Sequence, residues 1–235
     1  MLCKQSGKFT LYSHDVQYNV GNSSSNKGAR TDMEITLIRH GQSMHNVNLS
    51  ESYDSPLTAL GEQQVLRAAQ ALQDEQIDII YCSLMQRALH SASIIGKKLG
   101  VSIKARLDLA ENRICLGEKG LPRSVMETRF PEIELPDSAD EEGWARHWDN
   151  ETREEMSARM SKVADWLMNL AVRGVYKHMA IIIHGNSSST LLGHLLKMNV
   201  NFKFNHGNGG ISHLTIGEDG FIKISMLNRE CHLKN

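Results

Sequence analysis

Apolar residues along the chain follow two alternating rhythms from Met33 onward. Glu34–Ile38 is a short apolar run of strand length, and the residues from Thr58 to Asp74 place Leu60, Val65, Ala68, Ala69 and Leu72 at helical spacing. Asp78–Cys82 predicts the next strand, Leu84–Leu99 a helix closed by Gly100, and Val101–Leu107 a third strand. Glu151–Val172 predicts a long amphipathic helix with Met156, Met160, Val163, Leu167 and Leu170 on one stripe. His178–Ile183 is the sharpest strand, followed by a helix over Ser187–Met198 and strands at Ile211–Ile216 and Phe221–Met226. Alternating strands and helices imply an α/β fold of three layers, a mostly parallel sheet covered by helices on both faces. No internal repeat is visible.

Composition narrows the function classes. The 235 residues carry a net charge of -1, with 40% hydrophobic and 23% charged positions, as expected of a folded globular chain. Near-neutrality argues against a nucleic-acid binder, which normally carries a basic excess. The longest purely apolar stretch, Met179–Ile183, is far shorter than the roughly 20 residues of a membrane span. Cys3, Cys82, Cys115 and Cys231 are widely spaced with no C-x-x-C pair, which fits a reducing, cytoplasmic setting better than a disulfide or zinc scaffold. Residues 21–30 are rich in Gly, Ser and Asn, so 1–32 is expected to be a flexible extension ahead of a catalytic domain over 33–235. It lacks the continuous apolar core of a signal peptide.

Charge is unevenly distributed. Residues 131–155 hold ten acidic side chains against Arg146 and Arg153, leaving the remainder of the globular part basic. Such a block is ordinarily solvated surface, yet the basic remainder makes an anionic ligand plausible. In open parallel sheets, ligands bind beyond the carboxyl ends of the strands. Two predicted strands end there in His40-Gly41 and His184-Gly185, the first preceded by Arg39; a third leads through Ser83 to Arg87. Two histidines and two arginines can therefore converge on one crevice.

Arg39-His40-Gly41-Gln42-Ser43-Met44-His45-Asn46 resembles the R-H-G-x-[ST]-x-x-N signature of the histidine phosphatase superfamily, the phosphoglycerate mutase-like proteins. Asp54-Ser55-Pro56-Leu57-Thr58-Ala59-Leu60-Gly61 resembles its D-x-P-L-T-x-x-G segment. Ser83-Leu84-Met85-Gln86-Arg87-Ala88 resembles S-x-L-x-R-A, with the leucine one place early. Glu111 stands where the family's acidic proton donor follows a strand, and His184-Gly185 matches its second histidine. Five landmarks in order over about 33–227 make the resemblance specific.

The resemblance implies this family's fold with a short cap over about 112–150. It implies His40 as the nucleophile that forms phosphohistidine, and Glu111 as the group that protonates the leaving oxygen; Asp108 is the reserve carboxylate. Arg39, Arg87 and His184 would complete the catalytic set. Asn46, Ser43, Thr58 and Gly185 would join them in holding phosphate or substrate. A guanidinium can grip two phosphate oxygens, so the reading requires neither cofactor nor metal. The expected partner is a small phosphorylated metabolite, acted on by a monomer or homodimer.

Mutases of this family carry an Arg-Arg pair in a longer insertion and a Gly-Trp before the D-x-x-L segment. Neither occurs here, which favours a phosphatase; a mutase and a non-catalytic phospho-ligand binder are the alternatives. Cap residues Arg113, Lys119, Arg123 and Arg129 could meet a second anionic group or simply sit in solvent. Cys82 and Arg87 are one residue too close for a C-x5-R cysteine phosphatase loop, so Cys82 reads as core. The histidines show no H-x-H or i, i+4 metal-ligand spacing; His45, His90, His194, His206 and His213 are left without a role.

Overall fold

Six consecutive buried residues make β5 (His178–Ile183) the middle strand of a seven-stranded sheet. In this computed structural model, which describes residues 32–112, 118–147, 151–198 and 203–234, the strand order is β4-β3-β2-β5-β1-β6-β7. The expected extension, apart from Asp32, lies outside the described residues, as do Arg113 and Cys115. β1 (Met33–Arg39) and β2 (Ile79–Ser83) flank β5 in parallel, and β3 (Ile103–Arg106) and the two-residue β4 (Ile133–Glu134) continue that direction. β6 (Ile211–Ile216) and β7 (Ile222–Arg229) form an antiparallel hairpin on the other edge. The sheet is thus mostly parallel, as the alternation of elements implied.

Period-two alternation sends the side chains of β5 to both layers. Ala180 and Ile182 pack with Val65, Ala68, Leu89 and Ile95 beneath α1 (Ala59–Ala71) and α2 (Gln86–Leu99). Met179, Ile181 and Ile183 pack on the opposite face under α4 (Arg153–Arg173) and α5 (Gly185–Leu195). Between them chain order crosses over: β5 returns to lie between β1 and β2, and such a switch point opens a crevice at the strand ends.

Element boundaries fall within a few residues of those expected, and Gly100 ends α2 in the left-handed conformation, with φ of 69°. The stripe on α4 is buried as predicted, from Met156 through Leu170. Leu60 is a correction: it is half exposed, because the position one turn before Val65 on the buried face is Gly61. A Cβ at Gly61 would lie 2.0 Å from the Gln42 carbonyl oxygen, and one at Gly41 would lie 2.2 Å from the Gly61 carbonyl. These two glycines let the loop after β1 lie directly on α1.

The short helix α3 (Arg123–Arg129) and β4 were not foreseen; neither is long enough to display a period. The acidic block is not simply solvated. Glu132 meets Ser93 and Lys97, Glu134 meets Lys104, Glu151 pairs with Arg159, and Glu155 caps α4 through Thr152.

Candidate active site

Strand register brings the predicted chemistry level. Arg39 pairs with Ile183 across β1 and β5, and Cys82 pairs with Ile182 across β2 and β5, so Arg39, Ile183 and Ser83 end at one height. The next residues, His40 and His184, stand beside each other with ring centroids 4.9 Å apart. Arg87, in the first turn of α2, reaches them from the neighbouring layer. All three are buried.

His40 has a defined tautomer. Its Nδ1 lies 2.6 Å from the Gly41 carbonyl oxygen, which can only accept, so Nδ1 carries the proton and Nε2 the lone pair. Arg87 donates from Nε to that Nε2 at 3.2 Å. Burial, with Arg87 and Arg39 alongside, holds the His40 pKa well below its ordinary value, so the ring is neutral. Burial and the same cations, with His40 itself, depress His184 in the same way; its Nε2 lies 2.7 Å from Ser83 Oγ. Ser83 opens the S-x-L-x-R-A segment.

Two polar atoms here, Arg39 Nε and His184 Nδ1, are buried without a hydrogen-bond partner among the described residues. Buried polar atoms are rarely left unpaired in folded proteins, and these two border the crevice at the strand ends. Gly185 keeps the space above Arg39 open, since a Cβ there would touch the guanidinium carbon at 3.6 Å.

Glu111 is buried at the start of α5. Its carboxylate accepts N–H bonds from Asn112 and Ser187 on Oε1 and from Asn186 on Oε2, at 2.9, 3.0 and 2.9 Å. The unpaired N–H groups that open α5 hold this side chain in place. Asp108, the reserve, is instead held by both donors of Arg106.

The remaining expected residues are placed less directly. Thr58 caps α1, accepting from Gly61 N at 3.0 Å and donating to Gln42 Oε1 at 2.9 Å. Ser43 is buried, and its N–H donates to Asn46 Oδ1 at 3.1 Å; Asn208 also donates to that oxygen. Arg123 is occupied by Glu127 and two carbonyls, and Arg129 by Gln86 and the Phe130 ring. Burial pushes the Cys82 thiol up, which fits its reading as core.

Further residues support the site, among them Asp54, which opens the D-x-P-L-T-x-x-G segment. Asp54 Oδ1 accepts the Gln86 N–H at the start of α2, and Oδ2 accepts from Trp144. Burial pushes its pKa up to about 6, against those hydrogen bonds and Arg87. The Tyr53 carbonyl accepts from Arg87 at 2.5 Å, its hydroxyl donates to the Asn112 carbonyl, and Glu118 of the cap accepts the Tyr53 and Asp54 N–H groups. One strap therefore positions Arg87 and the Glu111 loop together.

Arg159 anchors the same loop from α4. It makes a buried two-pronged pair with Glu151, 2.6 Å on each arm, and donates to the carbonyls of Asp108 and Ala110. Removing one partner strands the other's charge. Arg159→Met is expected to cost about 3–5 kcal/mol in urea denaturation, and adding Glu151→Met to restore part of it. An exposed-pair loss below about 1 kcal/mol would contradict this account.

His206 closes the site from behind. Both ring nitrogens meet serine hydroxyls, Ser188 and Ser212, and its carbonyl accepts from Arg39 at 2.5 Å. Burial, with a smaller push from Arg39, lowers its pKa to about 4. The unfolded chain binds a proton near 6.5 and the folded one does not until about 4, so stability falls as pH drops through that window. From pH 7.5 to 5, the wild type should lose roughly 2 kcal/mol relative to His206→Gln, read from paired denaturation curves.

The sequence profile of the histidine phosphatase superfamily (branch 1) matches residues 35–229. The chain belongs to that superfamily. Among relatives, "Probable phosphoglycerate mutase GpmB" of Yersinia enterocolitica is 28% identical over 176 residues, covering 70% of this chain and 75% of its own. Glucosyl-3-phosphoglycerate phosphatase of Mycobacterium tuberculosis is 28% identical over 174 residues, covering 71% and 76%. The solved phosphoserine phosphatase of Entamoeba histolytica, in complex with 3-phosphoglyceric acid, has the same fold: TM-score 0.61, 23% identity, 86% of this chain and 100% of that one. This histidine phosphatase thus has the enzyme class that its motifs implied. Among its described residues, no helix is long and apolar enough to cross a membrane.

Proposed function

We propose that the chain is a metal-independent phosphatase that hydrolyses a small phosphate monoester through a phosphohistidine on His40. The observation that carries this reading is the locked tautomer: the proton sits on Nδ1 at the Gly41 carbonyl and the lone pair on Nε2, inside a buried cationic cluster. His40 Nε2 attacks phosphorus as the bond to the leaving oxygen breaks, and Glu111 gives that oxygen a proton. Water then attacks the phosphoryl group, Glu111 takes its proton, and the N–P bond breaks to release phosphate. Arg39, Arg87 and His184 stabilise the transferring group, whose charge near neutral pH is about -1.5 to -2. Asn46, Ser43, Thr58 and Gly185 shape the loops around it.

The phosphatase-named relative and the missing Arg-Arg and Gly-Trp features support hydrolysis over return transfer. The mutase-named relative keeps isomerisation as the second reading. The proposed compartment is the cytoplasm, which suits the free thiols of Cys82 and Cys231.

The test is turnover in chelator-treated buffer with p-nitrophenyl phosphate, sugar phosphates, phosphoserine and 3-phosphoglycerate. Phosphate release is expected. Isomerisation of 3-phosphoglycerate without release would establish the mutase instead, and tight binding with no turnover the binding relative.

A further inference from the structure

A second cluster of polar side chains lies on β1, away from the crevice. Thr36 pairs in register with His213 of β6, and two residues earlier Glu34 pairs with His178 of β5. Both imidazoles turn to Thr36 Oγ1, His178 through Nε2 at 2.8 Å and His213 through Nδ1 at 3.0 Å. Their other nitrogens, His178 Nδ1 and His213 Nε2, face Glu75 from the turn between α1 and β2, at 3.8 and 3.7 Å. Glu34 approaches His178 Nδ1 at 3.7 Å as well. Among the described residues, Glu75, His178 and His213 bring one ligand atom each to within 4.8 Å of one another.

The hydrogen bonding suits a cation. A hydroxyl oxygen has two lone pairs, so Thr36 can accept from both rings at once. When it does, the protons lie on His178 Nε2 and His213 Nδ1 and lone pairs face Glu75. Holding a ligating imidazole by its far N–H is how metal sites set tautomer and orientation. The imidazole–carboxylate separations are too long for direct hydrogen bonds. Tetrahedral zinc bonds of about 2.0–2.2 Å place ligand atoms about 3.3–3.6 Å apart, a modest inward movement from the spacing here.

The surroundings carry the same sign. An open depression of about 490 Å³ beside His178 is lined by Asp32, Glu34, Asp74, Glu75 and Asp78 against the lone cation Lys177. On the other side, the positive charge of Arg229 bears on His213, so the carboxylates must outweigh it. Two imidazoles with carboxylates select a borderline divalent ion over calcium or magnesium, which prefer all-oxygen shells.

We propose that Glu75, His178 and His213 bind a divalent cation of the zinc class, with Glu34 as a fourth ligand, separate from the phosphate-ester crevice. Thr36 precedes His40 by four residues, about 13 Å of extended strand, so the ion takes no part in the chemistry. It ties the α1–β2 turn to three neighbouring strands and stabilises the folded chain in proportion to its occupancy.

The test is calorimetric titration of the chelator-stripped full chain with Zn²⁺, repeated with Co²⁺ to read the visible bands of a four-coordinate site. One equivalent is expected to bind, raising Tm by several degrees. Glu75→Gln and His213→Gln, each checked for fold by circular dichroism, should weaken binding at least ten-fold and leave phosphate-ester turnover in chelator unchanged. Glu75 is half exposed, so its variant decides if His213→Gln fails to fold. Absence of saturable binding would overturn the proposal. So would binding that survives both substitutions, or that disappears in His40→Ala and so belongs to the crevice.

Discussion

His40→Asn is expected to lower kcat/KM for p-nitrophenyl phosphate by about 10⁴-fold or more, because the proposed mechanism passes the phosphoryl group through its Nε2. Asparagine can still donate to the Gly41 carbonyl, so Tm should change little and the loss can be read as chemistry. Acid-labile label from a ³²P-monoester should appear on the wild type and vanish in the variant. Label persisting on another residue would rule out His40 as the nucleophile. The pH profile supplies a second reading. His40 must be neutral to attack, and burial with Arg87 and Arg39 keeps it so below the ordinary imidazole value of 6.5. As pH falls through 6.5, kcat/KM should therefore persist once the ester's own second ionisation, near 6, is factored out. Arg87→Met removes one of the two cations, so the acid limb should move upward toward 6.5 as the rate falls. A wild-type limb at or above 6.5 would contradict the depressed pKa.

What was legible in the sequence is what strand ends encode. Arg39-His40 and His184 are contiguous with apolar runs, so their place at the sheet's carboxyl edge followed from periodicity alone. Arg87 was legible because one helical turn separates it from the end of β2. The contacts of the supporting layer were not, even where a motif holds the residue, because they run through backbone groups and distant pairs. Asp54 reaches a helix start 32 residues on, and Arg159 holds carbonyls 49 and 51 residues upstream. No local spacing encodes either contact. The Glu75–His178–His213 cluster shows no H-x-H or i, i+4 spacing for the same reason: β5, β6 and the α1–β2 turn bring it together across β1. Leu60 lies at helical spacing yet faces solvent, because the buried position of that turn is held by Gly61.

Glu111→Gln separates chemistry from architecture at the other end of the reaction. The carboxylate receives three backbone N–H groups on two oxygens. An amide can offer its one oxygen to Asn112 and Ser187, which leaves its NH₂ against the Asn186 N–H. That mismatch should cost about 1–3 kcal/mol of stability, a loss visible in denaturation that does not unfold the chain. Catalysis should suffer differently according to the leaving group. For an alkyl phosphate, whose alkoxide must be protonated as it departs, the rate should fall by about 10²–10⁴-fold. For p-nitrophenyl phosphate, the leaving phenolate needs little help, so phosphorylation of His40 should proceed while hydrolysis of phosphohistidine, deprived of its base, stalls. The expected signature is a burst of one p-nitrophenolate per chain followed by slow turnover. Asp108→Asn, at a carboxylate tied to Arg106, should show neither the burst nor the leaving-group dependence. Equal losses on both substrates with no burst would mean that Glu111 only caps α5, and the proton donor would have to be sought elsewhere.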